Sequence, residues 1–371
     1  MKITIDRTNL LRSLSHIQSV VERRNTIPIL ANVKLGVDPN TLTLNATDLD
    51  LEISVNINTN SSTPGSTTVP AHTLYEIIRK LPEGSEVEIE SISENQLVLR
   101  SGRYQTTLSS LPTTDFPVMD TDNYDHRFTI PADNLRQLID RTKFAISNEE
   151  TRYYLNGIYL HSSENASSPM LRAVATDGHR LASKDIPLPD GAENIPGIIL
   201  PRKMVSELRK LIEETDDEIQ ISASENKVRL EFGNAVLVSK LIDGTFPDYQ
   251  RVIPTNNDQF LEIDCNSFAN AVDRVSAISA EKSRAVKLNI ARNKLTLEAF
   301  SPEHGSASEE LDIEYGGNPI EIGFNAAYLL DITRQISSDS INIAMADSGS
   351  PTMFSEKNDN SALFVLMPMR V

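Results

Sequence analysis

Asp177 and His179 stand two apart in the run Val174-Ala175-Thr176-Asp177-Gly178-His179-Arg180-Leu181-Ala182. A carboxylate beside an imidazole is the pairing that acid–base catalysis or metal binding would use. The same residues also suit a turn. Asp-Gly between two apolar runs is a hairpin signal, because glycine accepts positive φ without strain. The turn is the expected role, since nothing else in the sequence completes a catalytic set. His16, His72, His126, His161 and His304 are scattered, and neither a Gly-x-Ser-x-Gly elbow nor a phosphate-cradling glycine loop occurs. Cys265 is the one cysteine. It opens a predicted helix, where the helix N-terminus could lower a thiol pKa, yet no base neighbours it in sequence and packing is its expected role. One cysteine excludes an intrachain disulfide and a cysteine zinc cluster, which suits a reducing cytoplasm. Neither a metal nor a cofactor is expected.

The elements that must position these residues repeat. Phe246-Pro247 echoes Phe116-Pro117, and each pair closes a block that opens with a strand followed by a helix. Ile5, Ile130 and Ile263 end the opening strands, with Leu10, Leu135 and Phe268 five residues later. A second strand-then-helix signal follows in each block, at Val69 and Leu74, Leu200 and Val205, and Phe324 and Leu329. A unit stated three times and halved each time is the first feature to weigh in assigning a fold. Apolar spacings of three and four predict six helices, over 7–20, 72–81, 132–144, 202–212, 266–276 and 325–336. Between them the pattern alternates, as in Leu51, Ile53, Val55 and Ile57, or Val228, Leu230 and Phe232. That is the signature of antiparallel strands with one buried face. The class is therefore α+β, in three domains expected at 1–122, 128–252 and 258–371, with polar linkers near 121–127 and 254–259. Asn60 to Thr68 reads as a polar loop within the first block.

The net charge of −17 argues against a nucleic-acid partner until it is divided. The six predicted helices together carry +7, which leaves −24 on the rest of the chain. Helices facing one cavity would make that cavity positive and the outer surface negative. Met1 to Ile5 alternates as a strand, and no stretch approaches the roughly 18 apolar residues of a membrane helix. A soluble, cytoplasmic protein is expected.

Several motifs together carry a family resemblance: Met1-Lys2-Ile3-Thr4-Ile5, Ile27-Pro28-Ile29-Leu30, Arg152-Tyr153-Tyr154-Leu155-Asn156-Gly157, Ala175 to Leu181, Phe246-Pro247-Asp248-Tyr249 and Met367-Pro368-Met369-Arg370. In these, and in the repeated layout, the whole chain resembles the bacterial sliding clamps, the β subunits of DNA polymerase III. The resemblance implies no enzyme. It implies a head-to-tail homodimer of three-domain protomers closed as a ring around duplex DNA, with two helices per domain lining the interior and antiparallel sheets outside. Such a clamp confers processivity on the replicative polymerase. Its partners would be double-stranded DNA, a second copy, the polymerase subunit, a clamp loader, and other polymerases and repair proteins that dock by short peptides, with no membrane.

Residue by residue, the resemblance and the helix positions place Arg24, Arg79, Lys80, Arg136, Arg141, Arg152, Tyr153, Tyr154, Arg202, Lys203, Arg209 and Lys210 toward DNA, with Arg7, Arg274 and Arg334 as further helix cations. A clamp must hold DNA and still slide, and phosphate attraction without base contacts permits both. The resemblance maps a peptide groove onto Leu155, Thr176, Gly178, His179, Arg180, Leu181, Pro247, Arg251, Val252, Pro351, Val365, Leu366, Met367, Pro368, Met369 and Arg370. The closing run Leu363 to Met369 is too apolar for a free tail, and its methionines suit varied ligands. As a last strand it would also turn Phe364 and Leu366 inward. The dimer contact maps onto Arg103, Thr106 and Leu108 on one side and Ala277, Ile278 and Glu303 on the other, with Glu309 and Glu310 nearby. Gln105 and Thr106 are less apolar and less basic than the family's usual residues, which predicts a weaker contact.

Two other readings stay open. A triplicated scaffold could bind peptides with no DNA role, although the +7 gathered on the helices counts against it. A hydrolase could use Asp177 and His179, although no nucleophile or metal set accompanies them.

Overall fold

The computed structural model describes residues 1–23, 26–119, 123–165, 168–213, 215–279 and 284–370. Six helices appear where the periodicity places them: α1 Arg7–Val20, α2 Ala71–Lys80, α3 Ala132–Asp140, α4 Arg202–Leu211, α5 Cys265–Ser276 and α6 Ala326–Thr333. The caps explain several starts. Asp6 Oδ1 accepts from Thr8 N at 2.9 Å and Asn9 N at 3.0 Å. Asp264 accepts from Ser267 N at 2.7 Å, and Asn325 from Ala327 N at 2.9 Å. Each satisfies amide donors that a first helical turn leaves unpaired. The twelve apolar residues of the repeated strand-then-helix signals are all buried.

The chain forms two compact units. The first comprises residues 1–136, 189–196 and 203–241, and the second 137–188, 197–202 and 242–371. The first holds a five-stranded sheet in the order Asn60–Thr63, Lys2–Asp6, Glu86–Ser93, Gln96–Ser101, Tyr104–Ser109. Its eight-stranded sheet runs His126–Pro131, Glu218–Ala223, Lys227–Phe232, Ala235–Lys240, Leu51–Asn58, Thr41–Thr47, Asn32–Asp38, Gly65–Pro70. Helix α1 packs on α2 and on strands Thr41–Thr47 and Leu51–Asn58.

The second unit holds an eight-stranded sheet in the order Ile198–Pro201, Gly157–Asn165, Ser168–Thr176, Arg180–Pro187, Asp359–Leu366, Thr352–Glu356, Ser340–Met345, Gln259–Asp264. Its four-stranded sheet runs Gly305–Asp312, Lys294–Ser301, Ala285–Ala291, Ile320–Asn325. Helix α5 packs on α6 and on strands Lys294–Ser301 and Gly305–Asp312.

In both units a strand of one block zips onto a strand of the preceding block. Leu237 lies opposite Ile53 in the first unit, and Phe364 lies opposite Ala182 in the second. Each repeat also ties down the end of its second helix from its first helix. Arg7 donates from Nε to Ile78 O at 3.1 Å and from Nη2 to Arg79 O at 2.7 Å. Arg136 Nη1 donates to Ile212 O at 2.8 Å and Thr215 O at 2.5 Å, and Cys265 Sγ to Thr333 O at 3.6 Å. The last carbonyls of a helix need such donors.

Four expectations are corrected. Asn60 to Thr68 is not a loop but parts of strands Asn60–Thr63 and Gly65–Pro70. Threonine suits strands, and the buried Thr68 hydroxyl donates to Leu111 O at 2.9 Å while accepting from Asn32 Nδ2 at 2.9 Å. Helix α3 stops at Asp140 rather than 144. Thr142 Oγ1 donates back to Leu138 O at 2.6 Å and a 3₁₀ turn, Lys143–Ala145, follows. Helix α6 likewise ends at Thr333, short of 336. His126 and Arg127, assigned to a linker, already belong to strand His126–Pro131, where they lie opposite Ala223 and Ser222.

Candidate functional site

The Asp177 hairpin joins strands Ser168–Thr176 and Arg180–Pro187. Thr176 Oγ1 accepts from Gly178 N at 3.1 Å and donates to Arg180 O at 2.7 Å. Asp177 Oδ1 accepts from His179 N at 2.9 Å and Arg180 N at 3.0 Å. Gly178 has φ +89°, which favours glycine, and a Cβ there would lie 2.6 Å from Arg152 Nη1, so a larger residue would displace the arginine tip. The turn's own bonds use the carboxylate that a catalytic or metal pair would need. Among the described residues no three His, Cys, Asp or Glu gather as a metal set. Cys265 is buried, and burial pushes its thiol above the ordinary range, away from a nucleophile.

Arg180 holds the site together. Its Nη1 donates to Asp331 Oδ2 at 2.6 Å, its Nη2 to Phe144 O at 2.6 Å and its Nε to Asp177 Oδ2 at 3.1 Å. The guanidinium carbon sits 4.2 Å from the Tyr328 ring centre and 5.1 Å from that of Phe144, a cation–π sandwich. The closing segment is tied to the same place. Met367 N donates to His179 O at 2.9 Å, and Met369 N to Gly323 O at 2.8 Å.

Beside the hairpin lies an apolar cluster of Leu155, Val174, Leu181, Ile199, Phe246, Tyr249 and Val365. Tyr159 stacks on Phe246 at 4.8 Å and 6°. Val252 and Met367 stand exposed at 49% and 41%, which leaves apolar surface open at the rim. Beneath the cluster, Arg172 grips Asp185 with two bonds of 2.6 Å. The Asp185 pairing holds the Arg172 guanidinium firmly charged. Tyr249 Oη accepts from Arg172 Nη1 at 3.4 Å and lies 3.0 Å from His161 Nε2. His161 Nδ1 faces the Ser162 carbonyl at 2.7 Å. A carbonyl only accepts, so Nδ1 carries the proton and Nε2 accepts from Tyr249. Burial holds His161 below its usual pKa.

The structure brings Thr176 and Leu181 of the hairpin together with Leu155, Val365 and Met367. Leu366 does not join them. It is fully buried and lies directly opposite Arg180, and strand alternation turns both to the other sheet face, with Phe364. Pro247, Arg251, Pro351, Pro368 and Arg370 are not fully buried, and Arg251 is paired with Asp248 at 2.7 Å. Sequence reading missed Phe144, Tyr328 and Asp331 as partners of Arg180, and Arg172 with Asp185 beneath the cluster. These pairings join distant parts of the chain and carry no local signal.

The cations divide by engagement. Arg79 pairs with Glu76 at 2.7 Å and stays half exposed; Lys80, Arg202 and Lys210 are exposed, and Arg209 is partly so. Arg152 pairs with Glu149 at 2.6 Å, with Tyr153 exposed and Tyr154 partly buried beside it. Three others are committed inward. Arg136 caps the carbonyls after α4, Arg141 pairs with buried Glu356 at 2.8 Å, and Lys203 binds Val20 O at 3.2 Å and the Asp48 carboxylate. Arg24 lies outside the described residues. Of the mapped contact residues, Arg103 and Leu108 flank or occupy strand Tyr104–Ser109, as does Thr106. Ala277 and Ile278 follow α5, and Glu303 precedes strand Gly305–Asp312. Both strands lie at the ends of their sheets.

Comparison with known proteins decides the family. Residues 1–120, 129–248 and 250–370 match, in order, the N-terminal, central and C-terminal domains of the DNA polymerase III beta subunit. The chain belongs to that family. It is 50% identical to the beta sliding clamp of Caulobacter vibrioides over 372 residues and 38% identical to that of Escherichia coli over 374, with full coverage of each chain. The DnaN sliding clamp of Bartonella birtlesii, solved bound to griselimycin, superposes with a TM-score of 0.97 at 48% identity and full coverage of both chains. The DNA polymerase sliding clamp of Caulobacter crescentus gives 0.95 at 50%, again over both full chains. The function is that of a sliding clamp, a processivity factor for DNA polymerase. Among the described residues no helix is long and apolar enough to cross a membrane.

Proposed function

We propose that two copies close head to tail into a ring around duplex DNA, and that the repeat itself states how. The last strand of the second block, Ala235–Lys240, zips onto the fourth strand of the first block, Leu51–Asn58. The last strand of the third block, Asp359–Leu366, zips onto the fourth strand of the second, Arg180–Pro187. One step remains in this series. The last strand of the first block, Tyr104–Ser109, would zip onto the fourth strand of the third block, Gly305–Asp312, in a second copy. These are the free edges of the five- and four-stranded sheets. Such a contact is head to tail, and it closes when the rotation suits. Arg103 on one edge and Glu303 and Glu310 on the other are exposed and of opposite charge. The domains divide near 122–128 and 252–258, and the molecule acts in the cytoplasm, where it has no catalytic step of its own.

In this ring the DNA-facing set is Arg79, Lys80, Arg152, Tyr153, Arg202, Arg209 and Lys210, all exposed or partly so, with Arg24 added from the family resemblance. Arg136, Arg141 and Lys203 serve as struts instead. Phosphate attraction without base contacts lets the clamp slide, and topology retains it. The apolar cluster between Leu155, Leu181 and Val365, rimmed by Val252 and Met367, receives the docking peptides of the polymerase, the clamp loader and repair proteins.

One experiment tests the ring. The protein is loaded on nicked circular plasmid by a clamp loader with ATP, and the DNA is then cut. Retention on circles with loss from cut ends is the expected result, and Ile278→Asp should abolish it. Equal retention on both forms would refute the ring and restore the peptide scaffold that lacks a DNA role.

A further inference from the structure

Five residues lie directly opposite one another across five adjacent strands of the second unit. Leu181 faces Val365, Val365 faces Met353, Met353 faces Ala344 and Ala344 faces Phe260. Directly opposed residues share a sheet face. The row therefore begins in the apolar cluster of the groove, which contains Leu181 and Val365 and against which Met353 packs. It ends at Phe260, on the edge strand Gln259–Asp264, with 69% of its surface exposed. Strand spacing gives the row a length of about 19 Å, which about six extended residues span.

The far half of the row opens into a surface cavity of about 740 Å³, lined among others by Phe260, Ala344, Met353 and Leu363. Its charged lining is one-sided: Glu262, Asp264 and Glu314 against Lys357. Lys357 is already paired with Glu262 at 2.7 Å. The backbone under the cavity is fixed, since Asn257 Nδ2 donates to Ala344 O at 2.8 Å and Pro351 O at 3.0 Å. An exposed phenylalanine at the end of an apolar row, on a fixed acidic platform, is continuous with the groove and unlike a scattered surface residue.

We infer that this row is an extension of the docking groove, and that it takes the flanking segment of a partner's docking peptide, an apolar side chain against Phe260 followed by a basic one beside Glu262 and Glu314. The inference rests on the groove reading above. Continuity with the cluster fixes where the segment enters, and the acidic lining fixes its charge. The extension would let partners that share a core peptide differ in affinity through the residues beside it.

The test uses the full-length protein and three synthetic peptides. One is a short peptide selected from a random library on the wild-type protein. The others are the same peptide lengthened by six residues at its N- or C-terminal end, with leucine in the fifth added place and lysine in the sixth. One lengthened peptide is expected to bind about tenfold tighter than the short one, as burial of one apolar side chain gives. Phe260→Ser should remove that gain and leave the short peptide's Kd unchanged. Glu262→Lys should weaken the lengthened peptide and favour a version ending in glutamate. No gain from either extension, or a gain that survives Phe260→Ser, would overturn the inference. Failure of the short peptide to lose affinity when residues 367–371 are deleted would overturn the groove reading instead, so the two failures are distinct. Sedimentation of both proteins covers the remaining occupant. An assembly larger than a dimer that Phe260→Ser dissolves would mean a second copy covers the row, and the inference would fall.

Discussion

The first and second blocks build the same turn and use it differently. At Thr47-Asp48-Leu49-Asp50-Leu51, Thr47 Oγ1 accepts from Leu49 N at 3.0 Å, and Asp48 Oδ1 accepts from Asp50 N at 2.9 Å and Leu51 N at 2.7 Å. At Thr176 to Arg180, the equivalent bonds measure 3.1, 2.9 and 3.0 Å. In each turn the aspartate's other oxygen meets a cation, Lys203 in the first and Arg180 in the second. The third position differs. Gly178 leaves room for Arg152 to lie over the turn, whereas Leu49 holds φ +82° and stands 40% exposed. The apolar clusters differ as well. One in the first block includes Ile29, Leu30 and Phe116, with Leu111 against it, while that of the second includes Leu155, Val174, Leu181, Ile199, Phe246, Tyr249 and Val365 among the described residues. Repetition has conserved the backbone device and left the side chains to make one copy an open groove.

Removing the residue that most distinguishes the second copy should have the largest effect. Arg180→Ala deletes bonds to Asp331, Asp177 and Phe144 O, takes the arginine from Asp177 and leaves Asp331 with the more exposed Arg334. Breaking a largely buried ion pair from one side costs about 3 kcal/mol. In a unit of this size that lowers Tm by about 6–12 °C, read by calorimetry. Arg180→Lys should recover only part of it, since one ammonium cannot fork to three acceptors while stacked between two rings. A wild-type Tm in Arg180→Ala would show that the sandwich is ornamental and that the second turn is no more tied than the first.

How far the sequence carried depends on whether a feature was local. The six helices were legible because their apolar stripes and caps lie within a few residues of each other, and the Asp-Gly hairpin because glycine's freedom is local. The strand ending at Val69 was read, but its polar start was taken for loop, since Thr67 bonds Ser110 and Thr68 bonds Asn32 and Leu111, all far away in sequence. Arg141 looked like a DNA contact from its helix face alone, and only the fold reveals Glu356 beneath it. Leu366 was assigned by motif, while strand alternation sends it to the other side of the sheet from Val365.

Exchanging the third turn residues sharpens the comparison at smaller cost. Gly178→Leu imposes a left-handed leucine and displaces Arg152, a loss of about 2 kcal/mol that should also weaken peptide binding at the groove. Leu49→Gly relieves the same strain in the first copy. Part of the gain is returned, because glycine is freer in the unfolded chain, so a rise of about 0.5 kcal/mol remains. Opposite signs for the two exchanges, measured by chemical denaturation, are the expected result. Equal signs would mean that the two turns are not the same device.

The smallest expected effect concerns protonation beneath the groove, a feature without a counterpart in the first cluster. His161 accepts from Tyr249 through Nε2, stacks on Tyr159 at 4.7 Å and has Arg172 and Asp185 for charged neighbours. Burial is the main cause of its lowered pKa, followed by the bond to Ser162 O, which opposes it. The folded protein therefore takes up the proton less readily than the unfolded chain. Stability is complete above the ordinary histidine value near 6.5 and is lost as pH falls below it. Protonation would also destroy the acceptor that Tyr249 uses, loosening a ring of the apolar cluster. Between pH 7.5 and 5.5 the wild type should lose more Tm than His161→Gln, which cannot titrate but can still accept from Tyr249. Tyr249→Phe should narrow that difference, because the acceptor at Nε2 then has no donor to lose. Parallel Tm curves for wild type and His161→Gln would show that the imidazole is hydrated and that the groove floor does not sense pH.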